Sequence, residues 1–294
     1  MKSLNSEIRI LPAKPVDYEN LLTLCRKSDD YFDYINQSLK KWLNFSEDSN
    51  ERKTEILYFG VEMIGFYSCA FFDNYAFGEI LRINKTFQRR GFGILLVNRS
   101  VEIAKSHRLN KIRTVVLSTN SQAIKLFAKM GYVEIEKWRA LFLKSSDFVK
   151  EKKIEKNLAD KITAARIEDL LSILNYIKGH LFLSLTKMYA RNFSWRPLDK
   201  GNLAREISVG RVLIRRNNDK IQSICLYCEI QKKTTEKGFI LEINCFDDYC
   251  IDFLRFVLQK YLFQPALVRI YAPHQIYLPL SVQQLSFKIL EKSW

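Results

Sequence analysis

The sequence of 294 residues has no uninterrupted apolar run approaching the roughly 18 residues that cross a bilayer. Its opening, Met1-Lys2-Ser3-Leu4-Asn5, leads into charged residues, not into the apolar stretch of a secretory signal. No membrane contact is expected. Cysteines number only 6, namely Cys25, Cys69, Cys225, Cys228, Cys245 and Cys250, thinly spread over a chain too large to need disulfide staples. Buried structural thiols and a reduced, cytoplasmic setting follow as the expectation. A zinc site at Cys225-Leu226-Tyr227-Cys228, with Cys245 and Cys250 as partners, is disfavoured because 221–230 reads as a strand. A strand sends residues three apart to opposite faces. Histidines number 3, and His107, His180 and His274 lie on different predicted elements with no Ser or Cys elbow beside them. A hydrolase triad is excluded on that ground. Glycine is scarce too, at 10 residues, so a pair of glycines one residue apart carries information.

Basic residues are plentiful: Lys and Arg exceed Asp and Glu by 47 − 32 = 15, enough for a surface field that attracts anions. The excess is spread along the chain without a basic tail. A nucleic-acid or ribosome contact therefore stands only as an alternative to a small anionic ligand. At 47% hydrophobic and 27% charged residues the chain is a folded protein, long enough for two domains.

Hydrophobic periodicity outlines the first half. A strand at 8–10 precedes a helix over 16–28, with Leu21, Leu22 and Cys25 on its apolar side, and a second helix over 32–43. Strands are expected at 56–61, 63–72 and 77–83. From Gly93 the period changes, and Ile94, Val97, Val101 and Ala104 mark an amphipathic helix. A strand at 111–118 follows, then a helix capped by Asn120 with Ala123, Phe127 and Met130 on its apolar side. Gly131 ends that helix, and Tyr132 opens the next strand. The polar run 145–161 is a solvated connector, which divides the chain into domains 1–148 and 160–294.

The second half replays the first. Ile162-Thr163-Ala164-Ala165-Arg166 with Asp169 echoes Ile10-Leu11-Pro12-Ala13-Lys14 with Asp17. The run 238–244 echoes 78–84, and 285–294 echoes 130–138. Three matches in one order indicate a tandem duplication.

Gln88-Arg89-Arg90-Gly91-Phe92-Gly93, between a strand and a helix, has the makings of a phosphate cradle. Glycines permit close backbone approach, the first turn of the helix presents unpaired N–H groups, and two arginines add charge. A Walker loop is excluded by the missing Gly-Lys-Ser/Thr ending, and a dinucleotide fingerprint by Leu96 where a third glycine is needed. With Ile83-Asn84-Lys85-Thr86-Phe87 before it, this run resembles the Q/R-x-x-G-x-G/A motif of the GNAT superfamily of N-acetyltransferases. A second signature of that family resembles Asn120, Ala123, Leu126-Phe127 and Met130-Gly131-Tyr132.

The resemblance covers about residues 7–144 and implies an α/β fold of two GNAT-like domains, each a mixed, mostly antiparallel sheet flanked by helices. It implies acetyl-coenzyme A as co-substrate, an amine acceptor and no metal. It places the main chain of Leu81 and Ile83 along the pantetheine arm and the amides of Gln88, Arg89, Arg90, Gly91, Phe92 and Gly93 on the pyrophosphate. Asn120 and Phe127 would lie near the thioester end. Period two puts Glu79 on the face of Leu81 and Ile83, as general base or as a salt-bridged strand residue. Where many relatives carry a proton-donating tyrosine this chain has Phe127, which cannot donate. Tyr132 or water would substitute, unless Tyr132 only packs, or the protein binds acetyl-coenzyme A without catalysis. At the matching place in the second half, Cys245-Phe246-Asp247-Asp248-Tyr249-Cys250 has no glycine and two carboxylates that repel phosphate. No coenzyme A is expected there. Phe193, Trp195, Tyr271 and Tyr277 would line an acceptor pocket or fill a core.

Overall fold

The computed structural model describes residues 8–26, 39, 43, 51–144, 161–180, 187–191, 194–231, 239–260, 265–276 and 283–294. The connector expected at 145–161 falls almost wholly outside them, and so does the helix expected at 32–43. The chain forms two compact units, residues 1–135 with 289–294, and residues 136–288. These are not the two halves of the sequence. The last residues of the chain belong to the first unit, and most of the strand that closes the first half belongs to the second.

In the first unit, β1 (Ile8–Pro12), β2 (Arg52–Phe59), β3 (Glu62–Phe71) and β4 (Ala76–Ile83) form an antiparallel meander, and β5 (Lys111–Leu117) lies parallel to β4. α1 (Tyr18–Arg26) packs Leu21, Leu22 and Cys25 against Ile56, Phe66 and Ile80 of the sheet. On the other face α2 (Phe92–Ser106) packs Leu96, Val97 and Ala104 against Leu57, Tyr67 and Ile112. α3 (Ser121–Lys129) adds Phe127 to that second cluster. A sheet covered on both faces by apolar helix stripes buries two cores at once. Beyond β5 the sheet continues into β14 (Gln283–Ser293), whose residues from Ile289 onward belong to this unit. Leu290 enters the α2 cluster, Glu291 meets Arg113 at 2.7 Å, and Trp294 N donates to Asn110 O at 3.2 Å.

The second unit repeats the plan. β7 (Ile162–Ala164), β10 (Val212–Asn217), β11 (Lys220–Gln231) and β12 (Phe239–Cys245) pair antiparallel, and β13 (Pro265–Pro273) runs parallel to β12. β6 (Val133–Leu143) pairs antiparallel with β13. α4 (Leu170–Gly179), α5 (Lys200–Ser208) and α6 (Cys250–Lys260) accompany it, with a hairpin of β8 (Met188–Arg191) and β9 (Ser194–Pro197). The duplication extends to a capping detail: Lys14 N donates to Asp17 Oδ2 at 2.8 Å, and Arg166 N donates to Asp169 Oδ2 at 2.9 Å, each at the turn before the first helix of its unit. The fold is therefore α/β, two related units with mixed, mostly antiparallel sheets. Among the described residues no helix is long and apolar enough to cross a membrane.

One expectation is corrected here. Cys245 and Cys250 are joined by a disulfide, not left as thiols. The end of β12 and the start of α6 bring their Cα atoms to 5.2 Å, within bonding geometry, a proximity that no sequence spacing reveals. Cys225 lies opposite Cys245 on β11 and Cys228 opposite Glu242; both are free and buried.

Candidate active site

The site begins with an irregularity. Along β3 and β4, Ser68 lies opposite Ile80 and Cys69 opposite Gly78, so Glu79 is an extra residue, a β-bulge. A bulge bends its strand and terminates pairing. Accordingly β4 pairs with β5 only at Ala76–Ile112, Phe77–Arg113 and Gly78–Thr114, although β4 runs on to Ile83 and β5 to Leu117. Past Gly78 and Thr114 the parallel strands part and leave a gap. Asn84 N donates to Ile64 O of β3 at 2.7 Å; alternation then points the main-chain groups of Leu81 and Ile83 toward the gap. The side chains of Leu81, Ile83 and Val116 pack in the α2 cluster beside it.

The gap leads to the glycine-bearing turn. Asn84 Oδ1 caps a 3-10 turn, Lys85–Phe87, by accepting from Thr86 N at 3.3 Å. Gln88 is extended, and its Nε2 donates to Ile83 O at 3.1 Å. Arg89 has φ +63° and Gly91 φ +88°, left-handed conformations that turn successive amides inward as an anion nest. Gly91 caps α2 without a side-chain bond, and Leu95 N donates back to Gly91 O at 3.2 Å. The amides of Phe92, Gly93 and Ile94 precede that bond and have no acceptor within the helix. Arg89 and Arg90 are exposed, the latter with its guanidinium carbon 5.2 Å from the centre of the Phe87 ring. Gly93 packs closely on α3: a Cβ there would stand 3.2 Å from Leu126 Cδ2.

The predicted residues thus fall into two groups. Leu81, Ile83 and Gln88 to Gly93 follow one another along the end of β4, the turn and the start of α2. Asn120 caps α3, its Oδ1 accepting from Ala123 N at 3.0 Å. Phe127 and Tyr132 are buried together, ring centres 5.0 Å apart, edge to face. Burial pushes the Tyr132 phenol above its ordinary range, and its hydroxyl is hydrogen-bonded to Ser100 of α2.

Glu79 is in an ion pair. The bulge breaks the period of two that placed it on the face of Leu81 and Ile83. It turns instead toward Arg52, which shares the α1 face with Ile56 by strand alternation. Arg52 Nε and Nη2 donate to its two carboxylate oxygens at 2.6 and 2.9 Å. The Glu79 side chain is 3% exposed and that of Arg52 12%. Arg52 and Thr114 escaped sequence reasoning, since only the register brings either one to Gly78 and Glu79. Thr114 Oγ1 donates to Gly78 O at 3.1 Å, across the point where the strands part.

In the second unit the equivalent strands do not part. β12 and β13 stay paired from Phe239–Pro265 through Asn244–Tyr271. The place of the nest is taken by the Cys245–Cys250 disulfide and by Asp247, whose carboxylate accepts from Tyr176 Oη and Tyr249 N, both at 3.0 Å. Burial raises the Asp247 carboxyl above its usual range. The residues present do not fit a pyrophosphate. Trp195 and Tyr271 are fully buried with ring centres 5.8 Å apart, so they fill a core; Phe193 and Tyr277 lie outside the described residues. Among the described residues no group of His, Cys, Asp and Glu has the arrangement of a metal site.

The model of the Acetyltransferase (GNAT) family matches residues 19–132. No curated protein matches the sequence. In fold the whole chain is similar to the crystal structure of a putative acetyltransferase from Thermoplasma acidophilum, with 13% identity, 97% of this chain and 100% of that one covered, and a TM-score of 0.63. It is also similar to a GCN5-related N-acetyltransferase from Sphaerobacter thermophilus, with 11% identity, coverage of 99% and 97%, and a TM-score of 0.64. A tandem GNAT protein from the clavulanic acid biosynthesis pathway matches at 12% identity, covering 98% of each chain, with a TM-score of 0.59.

Proposed function

Because the chain belongs through residues 19–132 to the acetyltransferase (GNAT) family, whose acyl donor is acetyl-coenzyme A, we propose that it acetylates an amine, on a small molecule or at a protein N-terminus. The observation that carries this reading is the end of β4–β5 pairing at Gly78–Thr114 in the first unit, followed along β4 by the left-handed turn at Arg89 and Gly91.

The main chain of Leu81 and Ile83 would hold the pantetheine arm, and the nest amides with Arg89 and Arg90 the pyrophosphate. Asn120 and Phe127 would flank the cofactor. The bound thioester supplies an activated acetyl group. An attacking amine must shed a proton, and Glu79 is the carboxylate beside the closed end of the gap, provided one oxygen is released from Arg52. Phe127 donates nothing to the departing thiolate. Tyr132, whose phenol burial holds in the protonated form above its ordinary range, is a phenol on that side. The second unit, without gap or nest, is assigned no cofactor; it serves the fold or the acceptor.

Phe127 and the second unit's lack of a nest also favour a binder of acetyl-coenzyme A without turnover. Release of free thiol from acetyl-coenzyme A in the presence of a panel of amines and N-terminal peptides separates the two readings. Amine-dependent release supports the transferase, and its absence across the panel with intact cofactor binding supports the binder.

A further inference from the structure

The closed end of the gap has chemistry of its own. Gly78 and Thr114 are the last paired residues of β4 and β5, and Thr114 Oγ1 reaches across to Gly78 O at 3.1 Å. Behind them Phe77–Arg113 and Ala76–Ile112 close the sheet. Thr114 is buried at 8% exposure, between Ile112 and Val116 on the α2 side of β5. A Cβ built on Gly78 would lie 3.5 Å from Thr114 Oγ1 and 3.6 Å from Thr114 Cβ, ordinary contact distances with no room to spare. The Thr114 side chain and the bare Cα of Gly78 thus stand together where the pairing of β4 and β5 ends.

We propose that Thr114, seated against Gly78, is the floor of the acyl pocket and restricts the donor to two-carbon acyl groups. The proposal rests on the reading above, in which the donor occupies the strand gap. The Thr114 methyl and hydroxyl occupy the space that a third acyl carbon needs, and their position is fixed by the bond to Gly78 O. A pocket of fixed size discriminates one methylene by about ten- to two-hundredfold.

The test is calorimetric titration of the full-length protein with coenzyme A, acetyl-coenzyme A and propionyl-coenzyme A. The wild type is expected to favour acetyl- over propionyl-coenzyme A by about tenfold or more. Thr114→Ser keeps the hydroxyl for Gly78 O, removes only the methyl, and should narrow that preference severalfold. Gly78→Ala raises the floor; it should weaken acetyl-coenzyme A while leaving coenzyme A itself nearly unchanged, which distinguishes a pocket effect from a folding defect. An acetyl-to-propionyl ratio near one in the wild type, or the same ratio in wild type and Thr114→Ser, overturns the floor alone. Absence of coenzyme A binding in the wild type overturns the cofactor reading and the floor with it.

Discussion

Glu291 and Arg113 stand 178 positions apart in the sequence, yet Arg113 Nε donates to Glu291 Oε2 at 2.7 Å within the unit that carries the candidate cofactor site. Arg113 is the residue before Thr114, one step from the point where β4 and β5 part. Its guanidinium carbon also lies 4.5 Å from the centre of the Tyr75 ring. The last strand therefore buttresses β5 at the site, and a fragment cut at the sequence midpoint leaves the first unit incomplete.

The consequence for truncation is direct. A fragment of residues 1–144 lacks Leu290 and Glu291, so it should fold poorly and bind coenzyme A far more weakly than the whole chain. In the intact protein Leu290→Ala should cost about 2–5 kcal/mol, the usual range for a buried leucine, measured by urea unfolding. A fragment as stable and as competent in binding as the full chain would contradict the exchange of closing strands.

For the buried pair at the bulge, the two partners should behave differently. Arg52→Met removes the two hydrogen bonds that Arg52 donates to the buried Glu79 carboxylate and should destabilise the protein by about 3–5 kcal/mol. Glu79→Gln should keep coenzyme A affinity but lower turnover, most visibly below the acceptor amine's own pKa, where a base matters most. Unchanged turnover and pH profile in Glu79→Gln would leave Glu79 a structural partner of Arg52 only.

Alkaline pH should unfold this protein early. Burial raises the thiols of Cys69, Cys225 and Cys228, the last to about 12, above an ordinary value of 9.0. It likewise raises the phenols of Tyr67, Tyr132, Tyr176 and Tyr189 above 10.0. Each folded-state value exceeds the unfolded one, so above about pH 9 the unfolded chain gives up protons that the folded chain retains. The unfolded state then binds fewer protons, and stability falls with pH. Urea midpoints should hold to about pH 9 and drop steadily through pH 11. Tyr67→Phe should flatten that drop, and an equal slope in the variant would count against the assignment.

Local chemistry made much of this legible beforehand. Gly131 signals a helix end, Asn120 a helix start, and the spacing of Val97, Val101 and Ala104 a buried helix face, because each is decided by residues close in sequence. Glu79 shows where that reasoning stops. Strict alternation assigned it to the face of Leu81 and Ile83, and the bulge, which depends on how β3 pairs with β4, sent it to Arg52. Thr114 has no signal until the strands are registered. Nor does the Cys245–Cys250 bond, which depends on how α6 returns on β12. The exchange of β6 and β14 is a choice of sheet partner, which hydrophobic patterning leaves open, since either sheet offers the same alternating face.

The most direct test of the cofactor site is the stoichiometry of coenzyme A binding by the full-length protein, measured by calorimetry alongside Gly91→Val and Asp247→Asn. One site per chain is expected, abolished by Gly91→Val because a β-branched residue does not adopt the φ of +88° that the nest requires. Asp247→Asn, in the second unit, should leave that site untouched. Two equivalent sites per chain, or undiminished binding in Gly91→Val, would contradict the assignment of acetyl-coenzyme A to the strand gap and nest of the first unit.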